Sequence, residues 1–216
     1  MAIISRELGY LFLHAPRTGG TALAHGVLVP QLSGQHLLRE KIQVVARNGE
    51  LRWVRQHATL AQLLAAGVLD DAEARQLLTF TTVRNPFDSL VSAYVKKRDS
   101  VSSKSWAQNH PVTRARVQAA AELDFPDFVE AQYGHRKPRH LYASQLEGAD
   151  LVMRFEHLQE DFDAVVDRLG LKAHVEIPRT NVTARDGDYR SYYTPAARAV
   201  VERIFAPDLE RFGYEF

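Results

Sequence analysis

An α/β fold is predicted, three layers deep, with a mostly parallel central sheet flanked by helices in a P-loop-like arrangement. Two observations predict it. Short apolar runs that read as buried strands alternate along the chain with stretches whose apolar residues recur at helical spacing, as in parallel sheets covered by helices. Two of those runs, Tyr10–Leu13 and Phe80–Val83, are followed at once by loop residues that open a helix. With 216 residues, the chain is long enough for a sizeable core and reads as one domain over 1–216.

The first strand is Tyr10-Leu11-Phe12-Leu13. His14-Ala15-Pro16-Arg17-Thr18-Gly19-Gly20 follows, and the apolar run after Thr21 starts a helix. A further helix is expected around Leu60–Ala66, and the second strand is Phe80-Thr81-Thr82-Val83. The helix after it opens with Asn85 as N-cap, Pro86 at its first position and Asp88 at the capping-box position. Phe87, Leu90, Val91, Tyr94 and Val95 give it a core-facing stripe, with Ser92 on the flank beside Asp88. A third strand is expected at Leu151–Phe155, then a helix with Leu158, Phe162, Val165, Val166 and Leu169 inward and Gly170 as its C-cap residue. Thr194-Pro195 starts the last helix, with Val200, Val201, Ile204 and Phe205 as its inner face. No repeat, linker or low-complexity block interrupts this order.

Ligands of such sheets bind beyond the carboxyl ends of strands, where both loops fall. Glycines let a backbone wrap closely around a ligand, and a helix N-terminus aims N–H groups and partial positive charge at it. Pro16 through Ala22 therefore read as a phosphate cradle, with donors on Thr18, Gly19, Gly20, Thr21 and Ala22. The common nucleotide loop needs a lysine just before its last hydroxyl residue. Here Gly20 precedes Thr21 and the basic residue is Arg17. Arg84, at the end of the second strand, and Ser92, two turns along the next helix, suit a second anionic group.

These two segments together resemble the sulfotransferases that use 3′-phosphoadenosine 5′-phosphosulfate. Pro16-Arg17-Thr18-Gly19-Gly20-Thr21 is similar to their 5′-phosphosulfate loop, P-K-T-G-G-T/S. Arg84-Asn85-Pro86-Phe87-Asp88 through Ser92 is similar to their 3′-phosphate element, R-N-P-x-D/E-x-x-x-S. Val152-Met153-Arg154-Phe155-Glu156-His157-Leu158, Tyr192-Tyr193-Thr194-Pro195 and Phe212-Gly213-Tyr214 resemble segments of the branch with carbohydrate sulfotransferases and small bacterial relatives. The resemblance implies that donor as co-substrate, no metal, and an acceptor hydroxyl on a saccharide or other alcohol. Arg17 stands where the family has lysine. It can neutralise charge with a forked donor set, but it is a poor proton donor.

Deprotonating an acceptor hydroxyl calls for a base, and histidine suits that near neutral pH. His57 lies between the two motifs, where the family resemblance places a basic histidine, although Gln56 replaces the expected glycine. His14 is the rival and is expected to shape the cradle. Two basic stretches, Lys96 to Arg116 around a serine-rich loop and His135–His140, are expected on solvated surfaces; the first could also wall the acceptor site.

Composition excludes several classes. A net charge of +1 gives no case for nucleic acid. The absence of cysteine removes disulfides, thiolate metal sites and a cysteine nucleophile, and fits a reducing compartment. No run suits a membrane span or a signal peptide, so a cytoplasmic enzyme is expected. No cluster has metal-ligand spacing. The oligomeric state is not legible. Two alternatives stay open: a P-loop-type kinase, which needs magnesium ligands and the missing Gly-Lys-Thr order, and a non-catalytic nucleotide-binding module, for which the Arg17 replacement is the argument.

Overall fold

The computed structural model describes residues 2–37, 42–45, 51–54, 57–101, 111–172, 175–178 and 187–216. The chain divides into two compact units: Met1–Arg84 with Tyr142–Asn181, and Asn85–Leu141 with Val182–Phe216. The boundary falls between Arg84 and Asn85, inside the second motif.

The first unit is built on a five-stranded sheet. Its strands are β1 (Ile3–Ser5), β2 (Tyr10–Leu13), β3 (Gln35–His36), β6 (Leu78–Val83) and β7 (Leu151–Arg154), in the order β3-β1-β2-β6-β7. β2, β6 and β7 run parallel, and β1 is antiparallel to both of its neighbours, so four of the five strands share one direction. A separate antiparallel pair, β4 (Ile42–Val45) with β5 (Leu51–Val54), precedes His57.

Alternation along β2 explains the layers. Tyr10 and Phe12 join Phe80 and Met153 on one face. There the helical run after the first loop and a later helix cover them. That run is α1 (Gly20–Leu23), a π-helical segment over Ala24–Leu28, and α2 (Val29–Gln31); the later helix is α9 (Leu158–Arg168). Leu11 and Leu13 face the other way, against Ala58 and Leu63 of the region carrying α3 (Leu60–Ala65) and α4 (Asp71–Gln76). A strand covered on both faces needs apolar residues throughout, which is why Tyr-Leu-Phe-Leu reads as an unbroken apolar run. Buried threonines of β6 satisfy their own hydroxyls: Thr81 Oγ1 donates to the Leu13 carbonyl at 2.6 Å. Gly170 takes φ 70° after α9, as a C-cap glycine does.

The second unit is helical. α5 (Pro86–Ser100), α6 (Pro111–Glu122), α7 (Phe125–Tyr133) and α10 (Pro195–Phe212) enclose Phe87, Val91, Phe128, Val201, Ile204 and Phe205. The short α8 (Ala143–Leu146) belongs to the first unit. Asn85 caps α5 by accepting the Phe87 N–H at 3.1 Å, and Thr194 caps α10 by accepting the Ala197 N–H at 3.2 Å. Pro207 lies inside α10, and Phe205 leaves helical geometry before it. The His135–His140 stretch is largely exposed, as expected, and its backbone is also tied down by hydrogen bonds. Arg139 N–H donates to the Ile204 carbonyl, Arg203 donates to the Gly134 and Arg136 carbonyls, and buried Asp208 accepts from Leu141 N–H and pairs with His140. The serine-rich loop, over residues 102–110, lies outside the described residues.

Phe80 sits at the centre of the first unit's core, fully buried, 5.3 Å from the Phe12 ring centroid and 5.7 Å from that of Tyr10. Phe80→Ala is expected to cost about 3–5 kcal/mol in urea unfolding. A loss under about 1 kcal/mol contradicts this packing.

Candidate active site

The first loop leaves β2 and turns back over the sheet. Pro16 is exposed and Arg17 half-buried. Arg17 takes φ 67° and Gly19 φ 77°. The left-handed region suits glycine, but a residue with a Cβ pays about 1–2 kcal/mol there. Three hydrogen bonds hold Arg17 in it. Fully buried Thr18 donates its hydroxyl to the Ala15 carbonyl at 2.8 Å and shares a short hydrogen bond with Thr82 Oγ1 on β6. Arg84 donates Nη1 to the Arg17 carbonyl at 3.1 Å. The two loops are thus joined by hydrogen bonds at the carboxyl ends of adjacent strands.

Gly20 opens α1 over the ring of His14. A Cβ there would stand 2.2 Å from His14 Cδ2, so only glycine lets the helix start this close. Among the described residues, no backbone acceptor engages the N–H groups of Thr18, Gly19, Gly20 and Thr21. The Ala22 N–H instead closes the first helical turn on the Gly19 carbonyl at 2.9 Å. The site therefore presents four consecutive backbone donors, with Arg17 at one end of them. Such a set accepts an anion.

His57 stands beside this loop. Its Nδ1 lies 3.0 Å from the His14 carbonyl oxygen, which can only accept, so Nδ1 carries the proton and Nε2 keeps its lone pair. Thr59, two residues on, begins the next element. Its side chain and that of Gln62 close a capping box at the start of α3. His57 keeps part of its surface open to solvent, while its ring is partly covered and meets the His14 ring edge-on with centroids 4.8 Å apart. Burial lowers the His57 pKa from its ordinary value, opposed by the bond to His14. His14 is buried at 6% exposure, and desolvation, helped by the charge of His57, lowers its pKa to about 2. His14 is therefore neutral throughout the working range and too weak a base to collect a proton there. Of the two rivals, His57 has the available nitrogen.

Arg84 is only 9% exposed, with its guanidinium carbon 4.1 Å from the Phe155 ring centroid. Ser92 is fully buried on α5, in the second unit, beside buried Asp88 and Ser89. Thr82 and Phe155 have contacts in the site that the first-strand motif alone does not announce. Phe155 has a sequence signal, the Arg-Phe-Glu segment at the end of β7; Thr82 has none beyond its position in β6. Among the described residues, no three His, Cys, Asp or Glu side chains come together as a metal site.

The profile of the Sulfotransferase family matches residues 54–215, well over half of the chain. The chain belongs to the sulfotransferase family. The match covers His57, Arg84 and Ser92 and begins after the Pro16–Ala22 loop, so that loop stands on its own sequence and geometry. No curated protein and no solved structure matches the chain. Among the described residues, no helix of this sulfotransferase is long and apolar enough to cross a membrane.

The buried neutral His14 gives folding a pH dependence. Its folded pKa lies below its unfolded value of about 6.5, so between the two the unfolded chain binds the extra proton. Stability is then lost as pH falls below about 6.5, by up to about 1.4 kcal/mol per pH unit from this group. In urea unfolding from pH 7 to 5, wild type should lose stability faster than His14→Asn. Parallel pH profiles contradict a neutral buried His14.

Proposed function

We propose that this sulfotransferase moves a sulfuryl group from 3′-phosphoadenosine 5′-phosphosulfate to a hydroxyl of a saccharide or another alcohol, by in-line displacement. The observation that carries the reading is the left-handed Arg17–Gly19 turn, whose backbone N–H groups from Thr18 to Thr21 have no backbone acceptor among the described residues, with Arg84 bonded to the Arg17 carbonyl. Consecutive N–H donors with two arginines nearby match a phosphosulfate in chemistry.

In this reading, the N–H groups of Thr18 to Thr21 and the Thr21 hydroxyl hold the 5′-phosphate. Arg84 and, by the sequence motif, Ser92 hold the 3′-phosphate and select this donor over ATP. His57 Nε2 takes the acceptor's hydroxyl proton as that oxygen attacks sulfur. The new S–O bond forms opposite the bond that breaks to the 5′-phosphate oxygen, and the electron pair leaves with adenosine 3′,5′-bisphosphate. Arg17 stabilises charge on the sulfuryl and bridging oxygens. Charge neutralisation by fixed donors accounts for the chemistry without a metal. The cysteine-free sequence supports a reducing, cytoplasmic setting.

Replacing Arg17 tests the charge role. Arg17→Ala should lower kcat by about two to three orders of magnitude, the scale for losing one such donor. Arg17→Lys should keep much of the rate. An unchanged kcat in Arg17→Ala assigns the role elsewhere.

The base is tested by pH. His57→Ala should leave donor binding nearly intact and drop turnover by about a hundredfold or more. In wild type, activity should fall on the acid side below pH 6.5, because burial lowers the His57 pKa and the base must be neutral to act. That limb should vanish in the variant. A limb that survives His57→Ala with most of the turnover excludes His57.

A further inference from the structure

The geometry points to Phe155 as the positioning residue that couples the 5′-phosphate loop to Arg84, an inference that rests on the reading of the site just given.

Phe155 heads the short 3-10 turn Phe155–His157 that follows β7. The turn has a fixed start. Arg154 donates its backbone N–H to Asp161 Oδ2 at 2.7 Å, its Nε to the same oxygen at 3.1 Å and its Nη2 to Oδ1 at 3.0 Å. Burial alone would raise the Asp161 pKa; the bonds from Arg154 outweigh it and hold the carboxyl below its ordinary value. The carboxylate stays charged and the two-pronged grip persists at working pH.

From this anchored turn the Phe155 ring touches both motifs. The Arg84 guanidinium lies over it at 4.1 Å. Its edge crowds Gly19: a Cβ on that glycine would stand 2.9 Å from Phe155 Cδ2 and 3.1 Å from Cε2. Arg84 in turn grips the Arg17 carbonyl. The contacts close a ring, Gly19–Phe155–Arg84–Arg17, whose ends are the two left-handed residues of the loop. A guanidinium is planar, so one face on an aromatic ring and one edge on a carbonyl leave it a single orientation. The plane in which Arg84 carries its other N–H groups is set by Phe155 and the Arg17 carbonyl. Phe155 thereby sets how selectively Arg84 reads a 3′-phosphate, beyond filling space beneath the loop.

The test compares adenosine 3′,5′-bisphosphate with adenosine 5′-monophosphate by calorimetry in the full chain. Wild type should prefer the bisphosphate. Phe155→Leu, which keeps apolar bulk and removes the ring face, should cut that preference by about tenfold, in the range of a partly desolvated cation–π contact. Phe155→Tyr should restore it. In an Arg84→Ala background, Phe155→Leu should change the preference no further. Equal weakening of both nucleotides by Phe155→Leu, with the preference intact, marks a space-filling role and overturns the inference. Should Phe155→Leu fail to fold, Arg84→Lys serves: it keeps the charge, loses the planar fork, and should lose the same preference. A retained preference there overturns the inference as well. No preference in wild type overturns the 3′-phosphate assignment and this inference together, whereas a wild-type preference untouched by these variants removes this inference alone.

Discussion

The Arg17 carbonyl oxygen is the point on which the site depends. It belongs to a non-glycine residue in left-handed backbone, and the Arg84 guanidinium grips it from the next strand. Together with the Thr18 hydrogen bonds to Ala15 and Thr82, that bond holds the turn in a conformation that costs an ordinary residue about 1–2 kcal/mol. With it, the loop keeps one backbone geometry, and in the proposed reading its donors need no reorganisation when an anion arrives. Preorganised donors of this kind supply much of the stabilisation in group transfer.

The sheet supplies the rigidity behind that bond. β2 and β6 are parallel neighbours, so both loops emerge at the same end and a threonine from each side can meet there. The large aromatic residues Tyr10, Phe12 and Phe80 pack one face, and the helical run from Gly20 lies against it. His14 sits where this core ends. Its ring supports Gly20 and its carbonyl fixes the tautomer of His57. One buried histidine thus shapes the cradle and orders the neighbouring imidazole, and its own basicity is suppressed by the same burial.

Much of this was legible in the residues. Tyr10–Leu13 and Phe80–Val83 declare themselves because strands covered on both faces must be continuously apolar or end in satisfied threonines. Asn85, Thr194 and Gly170 mark helix ends through cap chemistry that acts locally. β1 was not legible: Ile3–Ser5 is too short for any period, and its pairing with β2 is a tertiary contact. The π segment over Ala24–Leu28 carries no composition signal either. The division into two units at Arg84 falls inside a motif that reads as continuous. In the site, the glycines and arginines were visible as types. That Gly20 is required by the His14 ring, or that Arg84 turns inward onto the loop, depends on side chains distant in sequence. The Ala22 N–H, expected among the phosphate donors, bonds within the first turn, because a helix starting at Gly20 needs it there.

Product analysis in wild-type enzyme tests the central claim most directly. The purified chain is incubated with donor labelled in its sulfuryl sulfur and with a panel of saccharides and other alcohols, in the presence of a chelator. The account predicts labelled sulfate ester on an acceptor, formed in step with adenosine 3′,5′-bisphosphate. Labelled inorganic sulfate alone across the panel, or group transfer from ATP that depends on magnesium, contradicts it.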